Sequence, residues 1–287
     1  TIAVTGSDGK TTTTTIIAEM LRAAGKTVYI GGNIGHPLLA EAGKMKEEDY
    51  AVLELSSFQL LTMHKSPEIA VVTNLAPNHL NVHKGMEEYV EAKANILRYQ
   101  SAAQKVILNY DNDLTRAFSQ RAPGKTVFFS RLSPDAGDVF FADGRISVRN
   151  GDCVRPVLSA DEIAIPGVHN IENYMAAVAA VDGLVSDEVI REVAASFSGV
   201  EHRIELVREV HGVKYYNDSS ASSPTRTIAG LRSFRQKVIL IAGGKDKNID
   251  YAPLGPEIVQ HVRFLILTGG DVIGSTVPKI CAAVLNA

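Results

Sequence analysis

The sequence predicts an α/β protein: a central parallel sheet with helices on both faces, a small β region, and a second, partial unit of the same kind. Three observations carry this. Short apolar runs rich in β-branched residues recur between segments of helical periodicity, the pattern of parallel strands buried on both faces. A glycine-containing turn, Gly6 to Gly9, joins the first such run to the first helix. Between 126 and 158 the alternation gives way to short β segments around Asp143-Gly144 and Asn150-Gly151, dipeptides that favour hairpin turns.

Taken in order, a strand at 2–5 leads to a helix at 12–24. The Thr run at 11–15 is β-branched and a poor helix former, so packing must hold that helix. A strand at 27–30 and a short helix at 37–43 follow. Strands at 50–55 and 69–73 flank a helix at 58–63. A helix at 86–99 precedes a strand at 106–109. After the β region come helices at 170–183 and 186–196. A boundary is placed near Gly199, giving units 1–199 and 200–287. The second unit opens with a hairpin, 204–209 and 213–217. It continues as helix 224–234, strand 238–242, helix 254–261, strand 264–268 and helix 272–285.

The chain has 287 residues, enough for about two domains. Its 45% hydrophobic and 21% charged content is that of a globular protein. A net charge of −3 gives no case for a basic nucleic-acid surface. No apolar run approaches the roughly 18 residues needed to span a membrane. The two cysteines, Cys153 and Cys281, are far apart and show no metal-ligand pattern, as expected of core thiols in a reducing, cytoplasmic compartment. The first residue is Thr1, not Met, and the last predicted helix is followed by almost nothing, so an excerpt of a longer protein is expected.

The chemistry is concentrated at strand ends. Thr5-Gly6-Ser7-Asp8-Gly9-Lys10-Thr11-Thr12 follows the first strand. Such a loop converges backbone N–H groups, and the helix N-terminus adds positive potential. Gly6 and Gly9 allow close approach, Lys10 meets phosphate oxygens, and the Thr11 hydroxyl suits Mg²⁺. Two residues separate the glycines, where the common P-loop has four before its Gly-Lys pair. The competing reading is an ordinary strand–helix turn. Glu54 lies near the end of an apolar strand, at the ligand edge of a parallel sheet. It is read as a magnesium ligand, with a buried Glu paired to Lys or Arg as the alternative. His79, in Thr73-Asn74-Leu75-Ala76-Pro77-Asn78-His79, could ligate metal or contact phosphate, although a loop His is more often structural. Lys93, read alone, is a solvated helix lysine.

These segments occur in a fixed order with Gly32-Asn33-Ile34-Gly35, Glu54-Leu55-Ser56-Ser57-Phe58-Gln59, Ala92-Lys93, His169-Asn170, Asn173, Glu201-His202-Arg203 and Asn217-Asp218-Ser219. Together they resemble the Mur ligase family of peptidoglycan synthesis over nearly the whole chain. The resemblance implies a P-loop-type central ATP-binding domain followed by a Rossmann-like domain. It implies an ATP-dependent carboxylate–amine ligase that joins D-glutamate to UDP-N-acetylmuramoyl-L-alanine through an acyl phosphate. In that reading Gly6, Ser7, Asp8, Gly9, Lys10, Thr11 and Thr12 bind the ATP phosphates. Thr11 and Glu54 hold one Mg²⁺, and His79 with Lys93 serves a second. Lys93 is carbamylated in the family, which turns an amine into an anionic oxygen ligand. Asn33 touches the muramoyl substrate, Asn170 and Asn173 lie near the adenine, Arg203 and Asp218 reach the γ-phosphate and ribose, and Lys247 lies near D-glutamate. A monomer acting on small molecules is expected.

Three departures from the family pattern are also read. The UDP-gripping N-terminal domain and the end of the C-terminal domain are not in this sequence, so the chain alone is expected to ligate poorly while still binding nucleotide. Ser220 stands where some relatives carry Lys. The rivals are a folylpolyglutamate-type ligase, which the Glu54–Gln59 segment opposes, and a P-loop kinase or GTPase, which the loop spacing opposes. A nicotinamide-linked oxidoreductase lacks its Gly-x-Gly-x-x-Gly. An ATP-binding module without catalysis stays open.

Overall fold

The apolar run Ile2-Ala3-Val4, with Thr5, forms strand β1 (Ile2–Thr5), buried along its whole length. The computed structural model describes residues 1–35, 37–77, 83–246, 249–269 and 274–287. After β1 come α1 (Lys10–Ala23), β2 (Val28–Gly32), β3 (Tyr50–Glu54), α2 (Ser57–Leu61), β4 (Ile69–Val72) and α3 (Met86–Arg98). They continue as β5 (Lys105–Asn109), α4 (Asp113–Ala117), β6 (Lys125–Ser130), β7 (Val139–Ala142), β8 (Arg145–Asn150), β9 (Cys153–Ser159), α5 (Val168–Val181) and α6 (Asp187–Ser196).

Among the described residues, nine strands form one sheet in the order β2-β3-β1-β4-β5-β6-β7-β8-β9. Pairing is parallel from β2 to β7 and antiparallel for β7-β8-β9. The chain leaves β1 for β2 and β3 on one side and β4 to β6 on the other. The crevice beside the end of β1 is therefore the switch point where open α/β sheets bind ligands. Both faces are covered. Ile2 and Val4 of β1 share one core with Ile16, Ile17 and Met20 of α1 and with α5. Ala3 turns to the other core, with Leu60 of α2 and Tyr89, Ile96 and Leu97 of α3. Alternation across a strand buried on both sides explains why β1 reads as a continuous apolar run.

Four sequence expectations are revised here, the first being the cysteines: Cys153 is exposed and Cys281 half-buried, so neither is a core thiol. The β segments at 126–158 are not a separate region: β6 to β9 extend the main sheet, and the tight turn at Asp143 and Gly144 (φ 50° and 74°) closes the β7–β8 hairpin. The segment at 37–43 makes two short 3-10 turns, Leu38–Ala40 and Ala42–Lys44, with no buried side chain to support a helix. The last helix starts at Val277, next to Pro278, which is tolerated in a first turn.

Two compact units result: Thr1–Ile165 with His169–Ser198, and Pro166–Val168 with Gly199–Ala287. The second contains the hairpin β10 (Glu205–Val210) and β11 (Val213–Asn217), then α7 (Pro224–Arg232), β12 (Val238–Gly243), α8 (Leu254–His261), β13 (Val262–Thr268) and α9 (Val277–Leu285). Strands β12 and β13 pair in parallel. One face of the pair, with Leu240 and Leu265, packs on Leu231, Leu254, Ile258 and Ile280. The opposite row is exposed: Ile239, Ile241, Phe264 and Ile266.

Candidate active site

The loop after β1 is held by residues at the end of β4. Ser7 N donates to Asn74 O at 2.8 Å, and Asp8 N donates to Asn74 Oδ1 at 2.9 Å. Thr73 Oγ1 donates to Asp8 O at 2.6 Å. Ser7 Oγ bonds Ala76 at both its O and its N. Two glycines are required. A Cβ on Gly6 (φ 150°) would overlap the Thr73 hydroxyl, and one on Gly9 (φ 78°) would overlap Asn173 Oδ1. Gly9 is also the N-cap of α1, without a side-chain cap and with no acidic residue in the first turn. By contrast, α3 and α6 carry Glu87 and Glu88, and Asp187 and Glu188, in theirs. The partial positive charge of the α1 terminus is thus not offset by its own side chains.

Glu54 closes β3 beside this terminus. It is 2% exposed. Its Oε2 accepts from Thr11 Oγ1 at 2.6 Å and its Oε1 from Asn33 Nδ2 at 2.8 Å. Among the described residues, no Lys, Arg or His forms an ion pair with it. The alternative of a Glu paired to a basic residue is therefore not what the described residues form. A buried carboxylate held only by neutral donors is costly unless a cation or proton completes it. Asn33 also donates its backbone N–H to Glu54 O at 2.8 Å, so it holds this strand end twice.

Lys93 overturns its reading as a solvated lysine. It is 1% exposed, on the face of α3 that packs on the loop. Its Nζ donates to Gly6 O at 2.9 Å and to Thr5 Oγ1 at 3.1 Å. Burial, then the nearby charge of Lys10, pushes its amine well below the ordinary lysine range, against the pull of Glu54 and Asp8. Lys10 Nζ itself reaches Ser7 O at 3.1 Å.

On α5, Asn170 and Asn173 are nearly buried. Asn173 Nδ2 donates to Asn170 Oδ1 at 3.0 Å, and its Oδ1 accepts from Thr13 Oγ1 at 3.2 Å. His169, beside them, is pushed down by burial, with Asp8 opposing. The structure thus brings together Gly6, Ser7, Asp8, Gly9, Lys10, Thr11, Thr12, Asn33, Glu54, Lys93, Asn170 and Asn173. His79 and Lys247 lie outside the described residues. Arg203 and Asp218 belong to the second unit. There Asp218 accepts the Ile204 N–H at 3.2 Å, and its carboxyl is pushed up by burial against that bond, Arg203 and Arg226.

Sequence reasoning missed Thr5, Thr73 and Tyr89. Thr73 follows a strand end next to β1, a signal once strand order is known. Tyr89 is one helical turn before Lys93, so the two share a face. Among the described residues, no three His, Cys, Asp or Glu side chains converge to cage a metal. Thr11 and Glu54 instead make a two-oxygen edge, which suits Mg²⁺ that keeps phosphate and water ligands.

Residues 4–181 match the family described as Mur ligase middle domain, and residues 202–287 match that described as Mur ligase, glutamate ligase domain. The chain is 58% identical over 278 residues to UDP-N-acetylmuramoylalanine--D-glutamate ligase of Acetivibrio thermocellus, covering 97% of this chain and 59% of that protein. It is 51% identical over 284 residues to the protein of that name in Ruminiclostridium cellulolyticum, covering 99% and 60%. The chain therefore spans less than two thirds of the length of these relatives. Among solved structures, a UDP-N-acetylmuramoylalanyl-D-glutamyl-2,6-diaminopimelate--D-alanyl-D-alanyl ligase from Acinetobacter baumannii shares the fold, with a TM-score of 0.73 and 21% identity, over 99% of this chain and 64% of that one.

Proposed function

The chain belongs to the Mur ligase family, and we propose that it is the nucleotide-handling part of an ATP-dependent ligase joining D-glutamate to UDP-N-acetylmuramoyl-L-alanine. The observation that carries the ATP reading is Glu54: a carboxylate 2% exposed, in no ion pair among the described residues, bonded to the hydroxyl that opens α1. A magnesium nucleotide bound there would supply the missing positive charge and an activated phosphoryl group. Thr11 and Glu54 would hold that ion, and Lys93 with His79 a second one.

The chain's own residues do the positioning. Gly6 and Gly9 leave room for phosphate oxygens against the backbone, and Lys10 adds a cation. Thr73 and Asn74 hold the loop open, so little reorganisation is needed when charge arrives. Asn33 keeps Glu54 at the strand end and faces the muramoyl side. Asn170 and Asn173 hold the far side of the loop, toward the adenine. Lys93 fits carbamylation, because burial favours the neutral amine, the form that adds CO₂ and releases a proton. Arg203, Asp218 and Lys247 are assigned to the γ-phosphate, the ribose and D-glutamate. The reaction would proceed through an acyl phosphate on the substrate carboxylate, attacked by the D-glutamate amine. The expected setting is the cytoplasm, with a monomer acting on small molecules; no helix among the described residues is long and apolar enough to cross a membrane.

The test is phosphate release by the full-length protein with ATP, Mg²⁺ and UDP-N-acetylmuramoyl-L-alanine, varying the amine. Release that requires D-glutamate, and falls at least about 100-fold in Lys10→Ala, is expected. Release with another amino acid but not D-glutamate would refute the substrate assignment. Near-parental turnover by Lys10→Ala would refute the site.

A further inference from the structure

One buried polar cluster, given no role above, links the Glu54 strand to the Lys93 helix. Ser57, the first residue of α2, and His83 are 3% and 4% exposed. Ser57 Oγ and His83 Nε2 are 2.9 Å apart. His83 Nδ1 faces Glu88 Oε2 at 3.5 Å, and that oxygen also accepts the Lys84 N–H at 2.8 Å. The Lys84 bond, with His83 adding to it, holds the Glu88 carboxyl below the usual range, so Glu88 is an anionic acceptor at neutral pH. An acceptor at Nδ1 selects the tautomer protonated there. The Ser57 hydroxyl then donates to Nε2. The imidazole stacks on Phe58 at 5.1 Å and meets Tyr89 edge-on at 5.4 Å. Tyr89 in turn bonds Ser7 Oγ at 2.9 Å and lies beneath Lys93 Nζ at 4.9 Å.

The order Ser57–His83–Glu88 is that of a nucleophile triad. A serine 3% exposed, at the start of a packed helix, offers no approach for a substrate carbonyl. What the cluster can do is fix distances. Ser57 is three residues beyond Glu54, and His83 reaches both Glu88 and Tyr89 on the helix that carries Lys93. We propose that His83 is a positioning residue, which clamps the β3–α2 turn to α3 through Ser57, Glu88 and Tyr89 and so sets Glu54 against Lys93 and the phosphate loop. This rests on the reading that Glu54 and Lys93 serve the magnesium of a bound nucleotide. Groups that orient metal ligands from behind commonly change metal affinity about 10–100-fold when removed.

The test compares the parent with Ser57→Ala, His83→Phe, His83→Gln and the Ser57→Ala/His83→Phe pair. Phe keeps the ring stack and loses both nitrogens. Gln returns a polar group toward Ser57. ATP binding is measured by calorimetry with Mg²⁺ and with EDTA, below the melting range of each variant. The proposal expects about tenfold weaker binding in Mg²⁺ for Ser57→Ala and His83→Phe. It also expects little change in EDTA, partial recovery in His83→Gln, and no further loss in the pair, since one clamp is broken only once. Parental Mg²⁺-dependent binding in both single variants would overturn it, as would an equal loss with and without Mg²⁺. Should the parent bind ATP alike in both buffers, the magnesium reading fails, and amide hydrogen exchange decides the clamp. Faster exchange at 55–61 and 86–93 in Ser57→Ala then supports it, and unchanged exchange refutes it. Ser57→Ala removes a single oxygen, so the test stands even if His83→Phe does not fold.

Discussion

Glu54→Gln should move stability and nucleotide affinity in opposite directions. The carboxylate is 2% exposed, with Thr11 at 2.6 Å and Asn33 at 2.8 Å as its side-chain donors. Both are neutral. Each charge-assisted bond contributes about 1.5–3 kcal/mol, against about 1 kcal/mol for a neutral one. Gln therefore sacrifices roughly 1–4 kcal/mol across the two bonds. Burying the charge outside an ion pair costs several kcal/mol, offset in part by the attraction of the buried Lys93 amine, and Gln avoids that cost. Gln keeps both contacts: its carbonyl accepts from Asn33, and its NH₂ donates to Thr11, whose hydroxyl rotates. The net is neutral to about 2 kcal/mol in favour of Gln, a rise of up to about 4–8 °C in melting temperature at about 2–4 °C per kcal/mol. With the charge gone, magnesium loses its protein carboxylate, and MgATP affinity should fall about 10–100-fold, or about 1.4–2.7 kcal/mol. Differential scanning calorimetry without ligand and titration calorimetry with MgATP read the two effects on one sample. Lower stability combined with unchanged MgATP affinity would mean that Glu54 is a structural carboxylate, and the site reading would be wrong.

Other outcomes follow from the same geometry. Gly9→Ala strains a φ of 78° and drives Asn173 Oδ1 off Thr13; together about 2–3 kcal/mol should be lost, seen as a lower urea midpoint and weaker ATP binding. Lys93 has its folded pKa lowered below 10.5 by burial, so the folded state binds fewer protons than the unfolded one. Its contribution to stability therefore rises with pH from the folded pKa up to about 10.5, and Lys93→Met should abolish that rise in CO₂-free urea titrations while raising stability at pH 7; an unchanged slope would count against the buried amine. Ile241→Lys or Phe264→Lys, on the exposed row of the β12–β13 pair, should change stability by no more than about 0.5 kcal/mol in urea titrations, because neither side chain packs on the α7–α9 core, whereas Leu240→Ala should cost about 2–5 kcal/mol.

Much of this protein is legible in its sequence, because the signals are local. The run Ile2–Thr5, the two glycines and Lys10 lie within ten residues, and strand, tight turn and helix start follow from backbone sterics alone. The position of Glu54 at a strand end is likewise a matter of counting. Tertiary structure decided what depends on strand order. Only the placement of β4 beside β1 brings Thr73 and Asn74 onto the loop, and only α3 packing on that same end turns Lys93 from an expected surface lysine into one that is 1% exposed. The β segments at 126–158 show the same limit: hairpin turns are written in Asp143-Gly144, but whether the hairpins stand apart or extend a sheet depends on a partner edge far away in the chain. The Ser57–His83–Glu88 cluster joins residues up to 31 positions apart, and no periodicity encodes it. Local patterns specify what a segment prefers to be; which groups lose their water, and so acquire shifted chemistry, depends on what long-range packing brings against them.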